Sequence, residues 1–403
     1  YIVLWRFIMN KFLIILVAVM SFAVAGVANA EMTMSGNLSQ FVAMGDKIDG
    51  GVTSKFNRMT FGTSTTTDNG WTVGGSFSME YGSVGSGSNS AYLPTSNSMY
   101  VQTDAVTVAI GQAADGVTAI VPRIGAMVPG GGHDAGYQYL FDGGNAASNG
   151  VAFAEAYYAM AASKIDVRLP SVNGFSIGVS YTPSNQFTPD QGLGRQQAAM
   201  ETGGRHGETV HAAVSYSGET EGMSYTIAVG SITGNAQGNS ATNTLATFTN
   251  NDLNAVTGAI KINSGNFTIG GHWYNNGDSF GASADAVQAK DDGYTVAMEY
   301  AMGNITLGAL YAHQELVRGT RAATVRTTAA AGTAGQVYED EVTILGIGYN
   351  MGGGVNTFVQ YNQMSHTDGT HVTTTDVDPS VLIAGITLGR SEERRVGKEC
   401  RSR

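Results

Sequence analysis

Gly70–Gly82 reads G-W-T-V-G-G-S-F-S-M-E-Y-G. Trp71, Val73, Gly75, Phe77, Met79 and Tyr81 alternate with Thr72, Gly74, Ser76, Ser78 and Glu80. A period of two is the mark of a β-strand with two unlike faces. A single such strand fits a soluble sandwich as well as a membrane wall. Its length is the first clue. Ten steps of roughly 3.3 Å make about 33 Å, and a tilt of about 40° lowers the rise to roughly 25 Å, the height of the apolar band of a transmembrane barrel. The aromatic residues at its two ends then fall at the two membrane interfaces.

The pattern recurs along the chain. Phe175-Ile177-Val179-Tyr181, Val210-Ala212-Val214-Tyr216 and Tyr225-Ile227-Val229 repeat it, as do Tyr294-Val296-Met298-Tyr300 and Leu345-Ile347-Tyr349. Phe267 and Ile269 with Trp273 fit the same scheme. Short turns rich in Gly, Asn and Asp fall at Thr67–Gly70, Asp104–Ala105, Pro170–Gly174, Gly218–Gly222, Asn263–Asn266, Gly303 and Asn350–Gly354. These are the residues that tight hairpins need. Longer polar stretches lie between them, at Met44–Ser54, Gly82–Ser98, Gln112–Ala162, Pro183–Arg205, Thr233–Asn251, Asn275–Asp292, Glu315–Val337 and Ser365–Pro379. Short and long alternate strictly, so all turns share one end of the strands and all loops the other. With Met32–Ala43 first and Val381–Leu388 last, the reading is an all-β, sixteen-stranded antiparallel transmembrane β-barrel. It has short periplasmic turns and long outer loops. A closed barrel satisfies every backbone N–H and C=O internally, as hydrocarbon demands.

The two ends read differently from this body. Met9–Ala30 has a basic start, an apolar run and an A-x-A ending, the form of a secretory signal peptide. Residues 1–8 read as upstream translated sequence. Arg390–Arg403, R-S-E-E-R-R-V-G-K-E-C-R-S-R, resembles a translated sequencing adaptor. The expected single domain is therefore Glu31–Gly389, truncated at its C-terminal end. The whole chain carries 21 basic and 32 acidic residues; setting aside two basic residues in the first thirty, and six basic and three acidic ones in the tail, leaves 13 and 29, a net −16. That balance argues against nucleic acid as a partner. The one cysteine, Cys400, falls in the tail, so the body holds together without disulfides. Export and a barrel together point to a Gram-negative outer membrane, with its lipid and lipopolysaccharide as surroundings.

Met99–Gln112 (M-Y-V-Q-T-D-A-V-T-V-A-I-G-Q) and Ser163–Pro183 (S-K-I-D-V-R-L-P-S-V-N-G-F-S-I-G-V-S-Y-T-P) resemble passages of the general diffusion porins of alphaproteobacterial type. The resemblance covers Glu31–Gly389. It implies a water-filled lumen, a homotrimer and a third loop folded inward to narrow the pore. Gln112–Ala162, by far the longest loop, suits that role. Porins of this family set acids on the inward loop against bases on the wall. The loop acids here are Asp115, Asp134, Asp142 and Glu155, with Arg123 among them. Family members end in an aromatic residue, and Gly389 followed by the tail departs from that.

Parity selects the wall. Ile165, Val167 and Leu169 form an apolar face, so Lys164, Asp166 and Arg168 point inward; a lipid-facing Arg or Lys at mid-membrane costs roughly 2–4 kcal/mol. Met59 and Phe61 face out and Arg58 in. Glu80, His211, Lys261, His272 and Glu299 share lumen parity, while Lys55 belongs at the rim. Trp71, Tyr81, Tyr181, Tyr216, Trp273, Tyr294, Tyr300 and Tyr349 are the interface aromatics. With the acidic body, this reads as a passive, mildly cation-preferring channel for ions and small hydrophilic solutes. The loop cations Arg318, Arg321 and Arg326 work against that preference.

Other readings rest on less. Asp291-Asp292-Gly293, Glu339-Asp340-Glu341 and Asp376 with Asp378 offer oxygen ligands of the kind calcium accepts, without EF-hand spacing. No other cofactor is implied. There is no H-E-x-x-H, G-x-S-x-G or P-loop lysine motif, so enzyme chemistry has no visible seat. His206/His211 and His366/His371 lack metal-ligand context, and the G-x-G within Gly346–Gly352 lies in a strand. The alternatives are a secreted surface-layer or adhesin-like β protein, from the Gly/Ser/Thr/Asn content, and an outer-membrane barrel hydrolase.

Overall fold

The computed structural model describes residues 31–45, 51–54, 57–81, 93–112, 114–133, 163–184, 205–237, 251–279, 290–317, 337–368, 378 and 380–395. Sixteen strands follow one another around a closed antiparallel sheet. They are β1 (Glu31–Gly45), β2 (two segments, Gly51–Ser54 and Asn57–Thr66), β3 (Thr72–Tyr81) and β4 (Leu93–Gln102). Next come β5 (Thr107–Gly111), β6 (Lys164–Arg168), β7 (Phe175–Ser184) and β8 (Arg205–Thr220). Then follow β9 (Met223–Gln237), β10 (Leu253–Ser264), β11 (Phe267–Asn275) and β12 (Lys290–Met302). The last four are β13 (Ile305–Val317), β14 (Val337–Gly352), β15 (Val355–Asp368) and β16 (Ser380–Arg395). Each strand pairs with the next, and β1 pairs with β16 to close the ring. The closure runs from Gly45↔Val381 to Glu31↔Arg395, so the ladder continues over the first residues of the basic tail. Backbone pairing asks nothing of side-chain identity, and this continuity is a property of the ladder alone. The signal-peptide region, residues 1–30, lies outside the described residues.

All seven short turns fall where the sequence puts them. Gly70, Gly174, Gly222, Gly265, Gly303 and Gly354 stand in them with positive φ, the conformation that tight turns require. The strands overrun the expected loops at the other end. Thr233–Gln237, Glu315–Val317 and Ser365–Asp368 are strand rather than loop. Beyond the membrane both faces meet water, the alternation fades, and hydrogen bonding alone carries the sheet on. The interruption of β2 is a further local departure. The register shifts by one residue between Gln40↔Ser54 and Asn37↔Arg58, and the Asn57 side chain accepts the Ser39 N–H there at 2.9 Å.

The faces are inside out relative to a soluble protein. On β3, Phe77 is 38% exposed and Ser78 4%. Met99, Val229, Leu345 and Ile227 are likewise bared on the outside. Aromatic residues band this outer surface at two heights. Near the turns, Phe175 packs on Tyr216, Tyr216 on Tyr225 and Phe267 on Tyr300, with ring centroids 4.8, 6.1 and 4.4 Å apart. Toward the loops, Trp273 pairs in register with Tyr294, which packs on Tyr311. Six residues separate Trp273 from Phe267 and Tyr300 from Tyr294, so the two levels lie roughly 20 Å apart along the strands. No described helix is long and apolar enough to cross a membrane; the crossing is made by strands.

Candidate pore constriction

The wall is lowest at β5 and β6, five residues each. There the third loop leaves β5 and turns into the barrel. Gly111 makes the bend at φ +114°, where a Cβ would lie 2.3 Å from the Asn97 carbonyl oxygen. Gln112 N–H then donates to that same oxygen. Asp115 caps a single helical turn, α1 (Gly116–Ile120). Its Oδ1 accepts the N–H groups of Val117 and Thr118 at 3.0 and 2.9 Å, and its Oδ2 accepts the Thr118 hydroxyl at 2.7 Å.

Beyond α1 the loop follows the inner wall. Val117 and Val121 join Ala213, Ala228, Ile232, Leu253, Ala255, Ala259 and Tyr274 of β8–β11 in one apolar cluster. Ile124, Met127 and Val128 join a second, with Ala297, Leu310, Ile344, Phe358 and Ile383 among its members. The inner face expected to meet only water therefore carries an apolar stripe from β8 to β16. It is the bed on which the loop lies.

Glycines cut the groove in that bed. A Cβ on Gly178 (β7) would lie 2.9 Å from Ile120, and one on Gly270 (β11) 2.5 Å from Ile124. On Gly308 (β13) it would meet Pro129 at 2.7 Å, and on Gly346 (β14) Val128 at 2.5 Å. Gly230 of β9 sits against Val117 in the same way. At the far end Gln360 Nε2 donates to the Gly132 carbonyl, and His133 Nε2 lies 3.2 Å from the Thr295 hydroxyl. These glycines escaped the sequence reading, although their signal was present: they occupy inward positions on strands whose outward positions are Val, Ile and Leu.

At the root of the loop the charges converge. His211 Nδ1 on β8 lies 3.0 Å from Asp115 Oδ1, both side chains wholly buried. Burial alone would raise the Asp115 carboxyl. The hydrogen bond and charge of His211, with the bonds from Thr118, outweigh it and hold the group well below the usual carboxylate range. Gly116 N–H donates to the Ser180 hydroxyl of β7 at 3.0 Å. Lys164 and Asp166 on β6 point inward and are buried, and Asp115 and Asp166 both bear electrostatically on Lys164. Arg168 lies 2.6 Å from Asp166 through Nε and donates to the Ala114 carbonyl through Nη2 at 3.0 Å. Two acids, two bases and a histidine thus fasten the loop to β6 and β8. A buried charge this well partnered is structural cement more than an open pore charge.

The other candidates disperse. Arg58 is exposed on the inner face, in register with Glu80 across β2 and β3. Lys261 and Glu299 are half-buried, facing inward and coupled electrostatically. His272 is buried beside the Thr257 hydroxyl at 2.6 Å. Arg123 is exposed on the loop. Asp134, Asp142 and Glu155 lie outside the described residues, as do Lys55, Arg318, Arg321 and Arg326. Among the described residues no three acids, histidines or cysteines converge as a metal site would need. Period two explains this for the acidic runs. Asp291 and Asp340 are buried inside, while Glu339 and Glu341 are exposed outside.

A family model described as Gram-negative porin matches residues 16–370. The chain belongs to that family. It is an outer-membrane porin, and its barrel is a water-filled channel. Solved structures agree in fold. The anion-selective porin from Comamonas acidovorans is 14% identical, with 90% of this chain and 100% of that one covered at a TM-score of 0.58. OmpT of Vibrio cholerae, folded in vitro, is 13% identical over 91% and 99%, with a TM-score of 0.57. A multiply substituted Rh. blastica porin is 17% identical over 89% and 100%, with a TM-score of 0.52. At these identities the likeness is one of fold. No curated protein sequence matches this porin closely.

Proposed function

We propose that this porin is a passive, non-catalytic channel for ions and small hydrophilic solutes, mildly preferring cations and working as a homotrimer amid outer-membrane lipid and lipopolysaccharide. The observation that carries the reading is the third loop, which lies along the inner wall from β5 to β15 and takes up part of the lumen. Selection then falls to width and field at that level. The net −16 of the body raises the cation concentration at the mouths. Because Asp115, Lys164, Asp166 and Arg168 neutralise one another at the loop root, Arg58, Arg123, Lys261, Glu299 and the loop acids Asp134, Asp142 and Glu155 are the charges assigned to the path. OmpT of Vibrio cholerae has a trimer form, which supports the oligomer.

The test is the reversal potential of single channels under a tenfold salt gradient. Cation preference is the expected sign, with discrete conductance steps, often in threes. A clear anion preference would sink the selectivity claim and leave the channel standing.

A further inference from the structure

Under the loop ridge, on the side of the short turns, the inner wall holds a cavity of about 430 Å³. That is within the roughly 300–1,000 Å³ range of small-molecule sites. Pro129, Gly130 and Gly131 form its roof, and inward side chains from the surrounding strands form its wall. Asn37 on β1, Thr306 on β13, Asn356 on β15 and Thr387 on β16 line it, with Glu299 on β12 at one end. Their inward direction follows from buried neighbours two positions along each strand or further: Phe41, Leu310, Phe358 and Ile383.

The chemistry of this lining is selective. Asn and Thr side chains each donate and accept. Among the described residues the side chains of Asn37 and Thr306 have no hydrogen-bond partner, and Glu299 interacts with Lys261. No cation lines the cavity, so an anion would meet only Glu299. A desolvated metal ion lacks converging carboxylates. An apolar solute would strand several polar groups without partners, which is costly. A solute bearing many hydroxyls satisfies them, and Pro129 with Phe358 offers apolar surface for its C–H faces.

We infer that this slot is a binding subsite for small neutral polyhydroxylated solutes, of mono- or disaccharide size, on the periplasmic side of the constriction. The inference rests on the channel reading and adds a station to the path: such solutes pause below the loop before release.

Sucrose is a suitable probe, titrated onto full-length protein in planar bilayers beside a polyethylene glycol of matched hydrodynamic size. The expected result is a saturable loss of conductance with excess current noise, given by sucrose and not by the polymer. Thr306→Val and Asn356→Leu remove hydrogen-bonding groups at nearly constant volume. Each is expected to raise the half-saturating sucrose concentration roughly fivefold, the worth of one hydrogen bond. A conductance loss that follows bulk conductivity alone, as for the polymer, overturns the subsite while the channel stands. Unchanged half-saturation in both variants does the same. Absence of any channel current overturns both readings together.

Discussion

Asp115→Ala tests whether the loop is held by its root or by its length. The substitution removes the N-cap of α1, which costs about 1 kcal/mol. It also leaves His211 buried without its acidic partner, at roughly 1–3 kcal/mol. Together these weaken the root by about 2–4 kcal/mol. Val117, Ile124, Met127 and Val128 are all at most 4% exposed. At roughly 1.5–3 kcal/mol each, their burial contributes about 6–12 kcal/mol, an upper figure. The apolar bed therefore outweighs the root. The loop should stay in the barrel while α1 opens locally, about 30- to 700-fold more often.

Hydrogen exchange reads that opening directly. Ala119 N–H donates to the Asp115 carbonyl and Val121 N–H to that of Val117, so both amides lose protection when α1 unwinds. In Asp115→Ala the peptide holding them should exchange faster by that factor, with the strands unchanged and open-channel noise increased. Asp115→Asn keeps a capping acceptor but not the charge, and should fall between. Unchanged exchange and noise in Asp115→Ala would refute the root as a fastening. Loss of the barrel itself would refute the claim that the apolar bed dominates.

Acid should reproduce the effect in the unsubstituted protein. Asp115 is held below its ordinary value, so its contribution is complete above about pH 4, the unfolded carboxylate pKa, and is lost only as pH falls further toward the depressed value. Channel noise arising at this site should stay flat from neutrality to about pH 4 and rise below it; a rise near pH 6 that survives in Asp115→Asn places the titration elsewhere. Gly346→Val drives a side chain into Val128 and Pro129, 2.5 and 2.9 Å from the new Cβ. Overpacking of this kind costs about 1–3 kcal/mol and pushes the ridge into the lumen, so single-channel conductance should fall. Gly258→Val faces lipid, with its nearest contact at an ordinary 3.7 Å, and should conduct as the parent does.

How much of this could be read in the chain depends on where a physical constraint acts on neighbours in sequence. Trp71–Tyr81 meets lipid on one side and the barrel interior on the other, and that difference is written residue by residue, so strand number, order and outward face were legible. The turns were legible too, because Gly222 or Gly303 must adopt positive φ whatever the rest of the protein does. The inner surface obeys no such local rule. Gly270 and Gly346 are glycine because a segment about 145 and 220 residues earlier, around Ile124–Val128, lies across them. Asp115 had the composition of a pore charge and the place of a helix cap, and only His211, nearly a hundred residues on, distinguishes the two. Parity put Lys164, Asp166 and Arg168 on the inner face, yet inner does not mean open, since Lys164 and Asp166 are buried there. In a barrel that folds a loop into itself, the outside is a one-dimensional pattern and the inside is a packing problem. The charges that choose what passes must therefore be sought among inward residues that stay exposed, such as Arg58.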